Sequence, residues 1–392
     1  MALINDSDNY LFSTYKRYPI VLIRGEGSRV WDQDGKEYLD FVSGIAVCNL
    51  GHCHPKIVDA ITKQARTLIH VSNLYHIKPQ IELARLLVES SFADKVFFCN
   101  SGAEANEGAI KLARKYMRDT YGKERSEIIV MDNSFHGRTL ATLTATGQEK
   151  FKAGFDPLMP GFKHVPFNDI EAVSQAVTDK TGAILVEPIQ GEGGVNCPSD
   201  NYLPELRALC DEKKILLILD EVQVGMGRTG RLFAYEHYGI TPDIMTLAKA
   251  LAGGLPIGAL LARKEVAASF TPGTHASTFG GNPLVTAAAI ASLTTINNSS
   301  FLDHCRTMGN YLMDQLNRLK KKNPSIREVR GKGLLVGMEL DQPAADIVDK
   351  CLEKGLLINC VQEKVLRFLP PLTITKKEID QAVSTLEEVL SQ

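Results

Sequence analysis

The chain has 392 residues, which is enough for two or three domains with hydrophobic cores of their own. Its 44 Lys and Arg against 46 Asp and Glu give a net charge of −2, which argues against a nucleic-acid-binding protein. Hydrophobic residues make up 44% and charged residues 23%, so a disordered or fibrous chain is excluded. The longest weakly polar run, residues 250–262, contains glycine and proline and is shorter than the ~20 residues of a membrane span.

The N-terminal segment and the cysteines indicate a cytoplasmic protein. Residues 1–19 lack the basic region and apolar run of a secretory signal. The eight cysteines are scattered without a C-x-x-C pair, which favours reduced thiols. The densest Cys/His run, CNLGHCHP over residues 48–55, has no second ligand pair at zinc spacing, so we predict no metal site.

In chain order, the sequence begins with short β-like runs joined by turns over residues 21–41. Apolar β-rich runs then alternate with amphipathic helical patterns, which is typical of a mainly parallel sheet with helices on both faces. These runs and helices cover residues 95–99, 103–119, 127–131, 182–188, 203–213, 215–220 and 243–249.

The end of the chain mixes strand patterns with helices. RGKGLLVGMEL (330–340) and VLRFLP (365–370) read as strands, and residues 343–354 and 376–390 read as helices. We therefore predict an α/β protein with a large domain over residues 51–300. A smaller α+β domain would be built from both termini, residues 1–50 and 301–392.

Two charged residues stand at the ends of apolar runs. Asp220 ends ILLILD (215–220), and Lys249 follows IMTLA (244–248). If the two strands are parallel neighbours, both side chains project from the carboxyl edge, where open α/β sheets bind ligands. Each charge taken singly could also just mark where a strand leaves the core. A lysine with so few solvating neighbours has a lowered pKa and is a candidate nucleophile.

A strand, a turn and a helix follow one another over residues 95–119. Ser101 and Gly102 are small residues at the helix start, where backbone N–H groups can hold a phosphate. Glu104 and Glu107 in the early turns do not favour an anion, so a plain N-cap role for Ser101 stays open.

The run GMGRTG (225–230) matches GxGxxG and would suggest a nicotinamide-dependent dehydrogenase. The match is weak, because four residues separate it from the strand end at Asp220. A zinc module built on CNLGHCH is a second remote alternative.

Six motifs in order carry a resemblance to a known family. They are SGAEANE (101–107), SFHGRT (134–139), VEPIQGEGG (186–194), DEVQVGMGRTG (220–230), TLAKALAGGLPIGA (246–259) and STFGGNP (277–283). Together they resemble the class III aminotransferases, which use pyridoxal 5′-phosphate (PLP). The resemblance runs almost end to end. It implies PLP fold type I, in which helices sandwich a mainly parallel sheet, and a homodimer with shared active sites.

The resemblance implies roles for the catalytic residues. Lys249 would bind the cofactor covalently and later move a proton. Asp220 would pair with the pyridine nitrogen. Glu192 resembles the switch acid of the family, which pairs with the residue that matches Arg367 until a dicarboxylate displaces it.

The cofactor site is implied in the same way. Besides Asp220 and Lys249, it comprises Phe135, Val222 and Gln223 around the ring, and Ser101, Gly102, Ala103 and Thr278 of the partner subunit around the phosphate. Many relatives have Thr where this chain has Ala103, so a hydroxyl contact there is in doubt.

The substrate residues implied are Arg138 for the carboxylate of N-acetylornithine, Ser277 nearby, and Arg367 for the α-carboxylate of glutamate and 2-oxoglutarate. The expected reaction moves the terminal amino group of N-acetylornithine to 2-oxoglutarate, a step of arginine biosynthesis. Succinylornithine, ornithine and 4-aminobutyrate are alternative amino donors. Relatives that take free ornithine tend to carry Tyr where this chain has Ile45, which argues against that substrate.

Overall fold

The computed structural model describes residues 2–391. The strands are β1 (Leu22–Glu26), β2 (Arg29–Asp32), β3 (Glu37–Asp40), β4 (Lys95–Cys99), β5 (Glu127–Met131), β6 (Phe162–Val165), β7 (Thr181–Val186), β8 (Leu216–Asp220), β9 (Ile244–Leu247), β10 (Gly258–Ala262), β11 (Ile326–Lys332), β12 (Leu335–Leu340), β13 (Leu356–Leu357), β14 (Asn359–Val361) and β15 (Val365–Phe368). The helices are α1 (Ala2–Tyr10), α2 (Ser43–Ala46), α3 (Pro55–Ala65), α4 (Lys78–Glu89), α5 (Gly102–Tyr121), α6 (Leu140–Ala145), α7 (Ile170–Ala176), α8 (Tyr202–Lys213), α9 (Lys264–Ala267), α10 (Pro283–Ile296), α11 (Ser299–Lys322), α12 (Ala345–Glu353) and α13 (Lys376–Leu390).

A seven-stranded sheet forms the centre of the molecule, in the order β4-β10-β9-β8-β7-β5-β6. The five strands β9, β8, β7, β5 and β6 run parallel, while β10 is antiparallel to both of its neighbours. The prediction of an α/β fold with a mainly parallel sheet is therefore confirmed.

Both faces of this sheet are buried, because successive side chains of a strand point to opposite faces. In β5, Ile129 and Met131 join the core under α3, α4, α8 and α10. Ile128 and Val130 of the same strand join a second core under α5. Two-sided burial explains why these strands read as continuous apolar runs.

Segments from the two ends of the chain pack together. The short strand β13 pairs in parallel with β3, with Leu356 opposite Leu39. Leu39 and Phe41 belong to the same core as α11, α13 and the sheet β11-β12-β15-β14. The domain boundaries near residues 50 and 300 stay a prediction. Within residues 2–391, no helix is both long enough and apolar enough to cross a membrane.

The sheet brings two strand ends together at its carboxyl edge. Strands β8 and β9 are parallel neighbours, and Asp220 lies opposite Thr246 in the register. Lys249 follows β9 by two residues. The acid and the base therefore come from adjacent strands on one edge, which is the arrangement expected from the two apolar runs.

Candidate active site

A cavity of about 470 Å³ lies at the carboxyl edge of the seven-stranded sheet. Open α/β sheets bind their ligands in such crevices. Ten of the predicted site residues line it: Ser101, Gly102, Ala103, Phe135, Arg138, Glu192, Asp220, Val222, Gln223 and Lys249.

Lys249 faces this cavity from a tight turn after β9. Burial lowers the pKa of its ammonium, although the nearby carboxylates of Glu192 and Asp220 act in the opposite direction. Its φ of +43° lies in the left-handed region, which a side chain other than glycine adopts at a cost. The surrounding structure thus holds a lysine with a larger neutral fraction in a strained conformation that points it at the cavity.

Asp220 closes the far side of the cavity and is 4% exposed. Its Oδ1 accepts a hydrogen bond from the backbone N–H of Val222 at 3.0 Å. Its Oδ2 accepts one from Asn106 Nδ2 at 2.8 Å and lies 2.8 Å from His136 Nδ1. The hydroxyl of Thr246 donates to Asn106 Oδ1 at 2.7 Å and so fixes the orientation of that amide. The carboxylate is therefore held in a single direction.

The first turn of α5 forms another wall of the cavity. Ser101 is the N-cap, and its hydroxyl accepts a hydrogen bond from the backbone N–H of Glu104 at 3.1 Å. The N–H groups of Gly102 and Ala103 come next, and first-turn N–H groups have no acceptor within their own helix. A Cβ at Gly102 would meet Val222 at 2.8 Å, so only glycine fits at this contact.

The two acidic residues that counted against an anion site at this helix accept hydrogen bonds from other groups. Glu104 accepts hydrogen bonds from the backbone and the side chain of Asn100. Glu107 accepts them from the Thr139 hydroxyl at 2.6 Å and the backbone N–H of Ala141 at 3.1 Å. Ser101 can therefore cap the helix while the first-turn N–H groups remain open to an anionic ligand.

Phe135 and Arg138 stand on the segment before α6. The backbone N–H of Phe135 donates to Glu187 Oε2 at 3.0 Å. Burial, together with Asp220, raises the pKa of Glu187 well above its usual range. The guanidinium of Arg138 lies 4.1 Å above the ring of Phe151 and is exposed at the cavity mouth. This cation–π contact orients the guanidinium without neutralising it.

Glu192 and Arg367 meet beside the cavity, although 175 residues separate them in the chain. Arg367 Nη1 donates to Glu192 Oε1 at 2.7 Å and to Gln223 Oε1 at 3.1 Å. Burial raises the pKa of Glu192, but Arg367 and Lys249 outweigh this effect and its pKa is lowered. Arg367 is 0% exposed, and its Nη2 has no hydrogen-bond partner among residues 2–391. A buried cation with an open donor is a binding point for a second carboxylate.

The structure places Ser277 and Thr278 outside the cavity of their own chain. The Ser277 hydroxyl accepts a hydrogen bond at 3.3 Å from Asn100 Nδ2, and Asn100 does line the cavity. Thr278 lines a separate surface cavity of about 620 Å³ together with Asn73 and Leu74.

Sequence reasoning missed His136, Asn106 and Glu187, which also line the cavity. Each is a polar residue that is 5% exposed or less. Each also lies inside or next to a motif that the sequence analysis quoted. Buried polar side chains need partners, so their position within these motifs was the available signal. Val47 lines the cavity as well, whereas Ile45 lines a different one.

The structure explains the two motifs that suggested a dehydrogenase and a zinc module, GMGRTG and CNLGHCH. Arg228 of GMGRTG is fully buried, and burial lowers its pKa to about 9. Its guanidinium donates to the carbonyls of Leu334 at 2.9 Å and Pro370 at 2.6 Å, which ties this turn to the C-terminal part of the chain. In CNLGHCH, His52 pairs with Asp40 at 2.7 Å. The described residues contain no group of three or more His, Cys, Asp or Glu placed to hold a metal ion.

The donor set of the cavity fits PLP. Open N–H groups at the start of α5 suit a phosphate. The carboxylate of Asp220 suits a protonated ring nitrogen, and Val222 and Phe135 offer apolar surfaces for a flat ring between these two points. Lys249 supplies the amine for an aldehyde. His136 Nε2, buried and without a partner in residues 2–391, is a further polar atom in this wall.

Comparisons with known proteins agree with this chemistry. The family model of the class III aminotransferases matches residues 11–390. The acetylornithine aminotransferase of Caldanaerobacter subterraneus subsp. tengcongensis is 59% identical over 391 residues, which cover 100% of this chain and 99% of that protein. The one from Methanocaldococcus jannaschii is 57% identical, with 98% and 96% covered.

A solved structure with a similar fold is that of the ornithine aminotransferase from Toxoplasma gondii, which has partial occupancy of PLP at its active site. It superposes with a TM-score of 0.95 at 37% identity and covers 99% of this chain and 93% of that one. The family model and these relatives each span nearly the whole chain. The chain therefore belongs to the class III aminotransferases, a PLP-dependent family.

Proposed function

We propose that this aminotransferase moves the terminal amino group of N2-acetyl-L-ornithine to 2-oxoglutarate. The products are N-acetyl-L-glutamate 5-semialdehyde and L-glutamate, and the step belongs to arginine biosynthesis. The observation that carries the proposal is the ion pair between Glu192 and the buried Arg367, beside the cavity that holds Lys249. Relatives named acetylornithine aminotransferase at 50–59% identity support the choice of amino donor.

The residues of the cavity divide the work of the transfer. When bound, the cofactor accepts the amino group and takes up the electron pair of the bond broken at the amine-bearing carbon. Lys249 Nζ, with its pKa lowered by burial, would take the proton from that carbon and deliver it to C4′ of the cofactor. The Asp220 carboxylate, fixed by Asn106 and Val222, would hold a proton on the ring nitrogen.

The two arginines let one cavity take two kinds of amine. Glutamate reacts at its α-amine and therefore needs a cation near the adjacent carboxylate. If that cation were open, it would attract the α-carboxylate of acetylornithine and present the wrong nitrogen to Lys249. Glu192 masks Arg367 at 2.7 Å, so acetylornithine binds by its carboxylate to Arg138 with its terminal amine inward. A dicarboxylate displaces Glu192 and uses Arg367.

A substrate panel tests the proposed amino donor. Ornithine, N-acetylornithine, N-succinylornithine and 4-aminobutyrate are compared by kcat/KM with 2-oxoglutarate as the acceptor. We expect N-acetylornithine to have the highest value. A higher value for N-succinylornithine or for free ornithine would replace it as the donor while leaving the family assignment intact.

Arg138→Lys is expected to weaken the binding of acetylornithine by about 1.5–3 kcal/mol, the scale of a hydrogen bond to a charged group. Lysine keeps the charge but loses the planar fork that matches a carboxylate, and it loses the guanidinium stacking on Phe151. Equilibrium titration of each protein with acetylornithine measures the effect. Arg66→Lys, at the exposed C-cap of α3, is the matched control. Unchanged affinity in Arg138→Lys would assign the carboxylate to another residue.

Glu192→Ala is expected to raise the rate of the glutamate half-reaction relative to the acetylornithine half-reaction. The substitution removes the carboxylate at 2.7 Å from Arg367 and leaves that cation unmasked in both half-reactions. Stopped-flow absorbance gives the two rates in each protein, with Glu205→Ala, at an exposed position of α8, as the control. If Glu192→Ala slows both half-reactions in equal proportion, the mask is wrong and Glu192 only supports the loop.

The same proposal includes a homodimer in the cytoplasm. Thr278 lies outside its own cavity, so its role at the phosphate would be filled by Thr278 of the partner subunit. Large apolar side chains are exposed around this residue, with Leu74 at 84% and Phe279 at 60%. An apolar patch of this kind is typical of a protein interface, and a second copy of this chain is the occupant we propose.

A further inference from the structure

The hairpin formed by β14 and β15, residues 359–368, reaches Glu192 at two points. Its second strand carries Arg367, which pairs with the carboxylate of Glu192. Its turn carries Gln362, whose Nε2 donates to the backbone carbonyl of Glu192 at 3.1 Å. One hairpin therefore holds both the charge that the acid masks and the backbone from which the acid extends. We call residues 191–194 the Glu192 loop and residues 359–368 the Arg367 hairpin.

The side chain of Gln362 is also held by a hydrogen bond outside the Glu192 loop. Its Nε2 also donates to Gln148 Oε1 at 2.9 Å, and Gln148 in turn donates to the backbone carbonyl of Ser134 at 3.1 Å. The backbone of Gln362 has a φ of +49°, in the left-handed region that disfavours a side chain. A glutamine kept in a strained turn with both amide protons used is a candidate for a positioning role.

The other end of the Glu192 loop is anchored independently. Arg330 Nη2 donates to the backbone carbonyl of Gly194 at 2.7 Å, and its Nε donates to Val195 at 3.2 Å. Arg330 is itself paired with Glu328 at 2.8 Å. Both ends of the loop are thus tied to the C-terminal part of the chain, and the tie at Glu192 is the one that a swing of the loop away from Arg367 would break.

We propose that Gln362 is a positioning residue. It keeps the backbone of the Glu192 loop in the position from which the Glu192 carboxylate reaches and masks Arg367. The proposal rests on the masking role given to Glu192 above. Gln362 touches neither substrate nor cofactor in this assignment and acts only through Glu192. Its hydrogen bond sets how large a fraction of the protein has Arg367 masked, and so how strongly a dicarboxylate must compete.

The size of the effect follows from one hydrogen bond. Losing it shifts the balance between masked and open Arg367 by about three- to tenfold. The apparent affinity of a ligand scales with the fraction of protein in the binding-competent state. A dicarboxylate should therefore bind about three- to tenfold more tightly when the anchor is removed, as long as the masked form dominates in the native protein.

The test uses glutarate, a five-carbon dicarboxylate with neither an amine nor a keto group, so that binding is measured without turnover. Calorimetric titration of the PLP-loaded protein gives its affinity in the native protein and in Gln362→Met, which keeps the length but donates no hydrogen bond. Gln175→Met, at an exposed position of α7, is the matched control. We expect tighter glutarate binding in Gln362→Met only. Equal or weaker binding would overturn the proposal. Gln362→Leu, which also lacks the donor and adds no charge, should repeat the result if the methionine variant folds poorly.

A double-mutant cycle separates this proposal from the mask itself. In a Glu192→Ala background, Gln362→Met should change neither the glutarate affinity nor the ratio of glutamate to acetylornithine half-reaction rates, because the group it positions is gone. A further change in that background would make Gln362 a general structural support and refute the positioning role. If Glu192→Ala alone leaves the glutarate affinity unchanged, it is the mask that fails.

Discussion

Lys249→Ala is expected to reduce turnover by about 10³-fold or more while the protein still binds PLP non-covalently. Lysine is both the amine that releases the product and the base that moves the proton, and a positioned base alone contributes about 10²–10⁴-fold. The side chain faces the cavity from a turn with a left-handed backbone, so the local fold directs the amine to this point. Alanine removes both functions at once.

Borohydride reduction of the PLP-loaded protein followed by peptide mapping provides a measurement independent of activity. The native protein should carry the label on Lys249, and Lys249→Ala should carry none. Lys180→Ala, at an exposed turn before β7, should behave as the native protein does. Label on a different lysine of the native protein would refute the assignment.

The fold followed from the sequence because its signals are local. Buried strands such as β7 and β8 read as apolar runs, and Asp220 reads as the charge that ends β8. The sequence pattern put Asp220 and Lys249 on one edge on the condition that their strands are parallel neighbours. The structure meets this condition, because β8 and β9 pair in parallel with Asp220 opposite Thr246.

Contacts between distant segments could not be predicted in this way. Glu192 lies in a glycine-rich loop and Arg367 in a strand, and neither local pattern indicates that they meet. Only the family resemblance brought them together. Gln362 and Arg330 were not noticed at all, because their function depends on hydrogen bonds to the backbone carbonyls of the Glu192 loop, which leave no mark on composition or periodicity.

The helix start at Ser101 illustrates a different limit. Charge counting gave Glu104 and Glu107 as reasons against an anion, but each carboxylate is turned to donors outside the first-turn N–H groups. The direction of a side chain depends on tertiary partners such as Thr139 and Asn100. A count of carboxylates near a helix terminus therefore says less than the hydrogen-bond donors that those carboxylates contact.

Asp220→Asn is expected to slow proton removal from the amine-bearing carbon by at least about 100-fold while PLP stays bound. The substitution removes a charge-assisted hydrogen bond worth ~1.5–3 kcal/mol and also leaves a buried donor without an acceptor, a further ~1–3 kcal/mol. An amide has one oxygen, whereas Asp220 accepts from Val222 through Oδ1 and from Asn106 through Oδ2. Either orientation of the asparagine places its NH₂ group against one of these donors.

His136 decides which orientation the asparagine takes. Its Nδ1 lies 2.8 Å from Asp220 Oδ2 and donates to it, because a carboxylate oxygen only accepts. Asn106 Nδ2 and His136 Nδ1 both face Oδ2, whereas only the backbone N–H of Val222 faces Oδ1. The asparagine oxygen should therefore stay at Asn106, and its NH₂ group should face Val222 and the ring nitrogen, which then cannot keep its proton. Single-turnover rates with acetylornithine deuterated at the terminal carbon measure this step, and the isotope effect should rise in Asp220→Asn. Asp211→Asn, at an exposed position of α8, is the control. An unchanged single-turnover rate in Asp220→Asn would mean that another group holds the ring nitrogen.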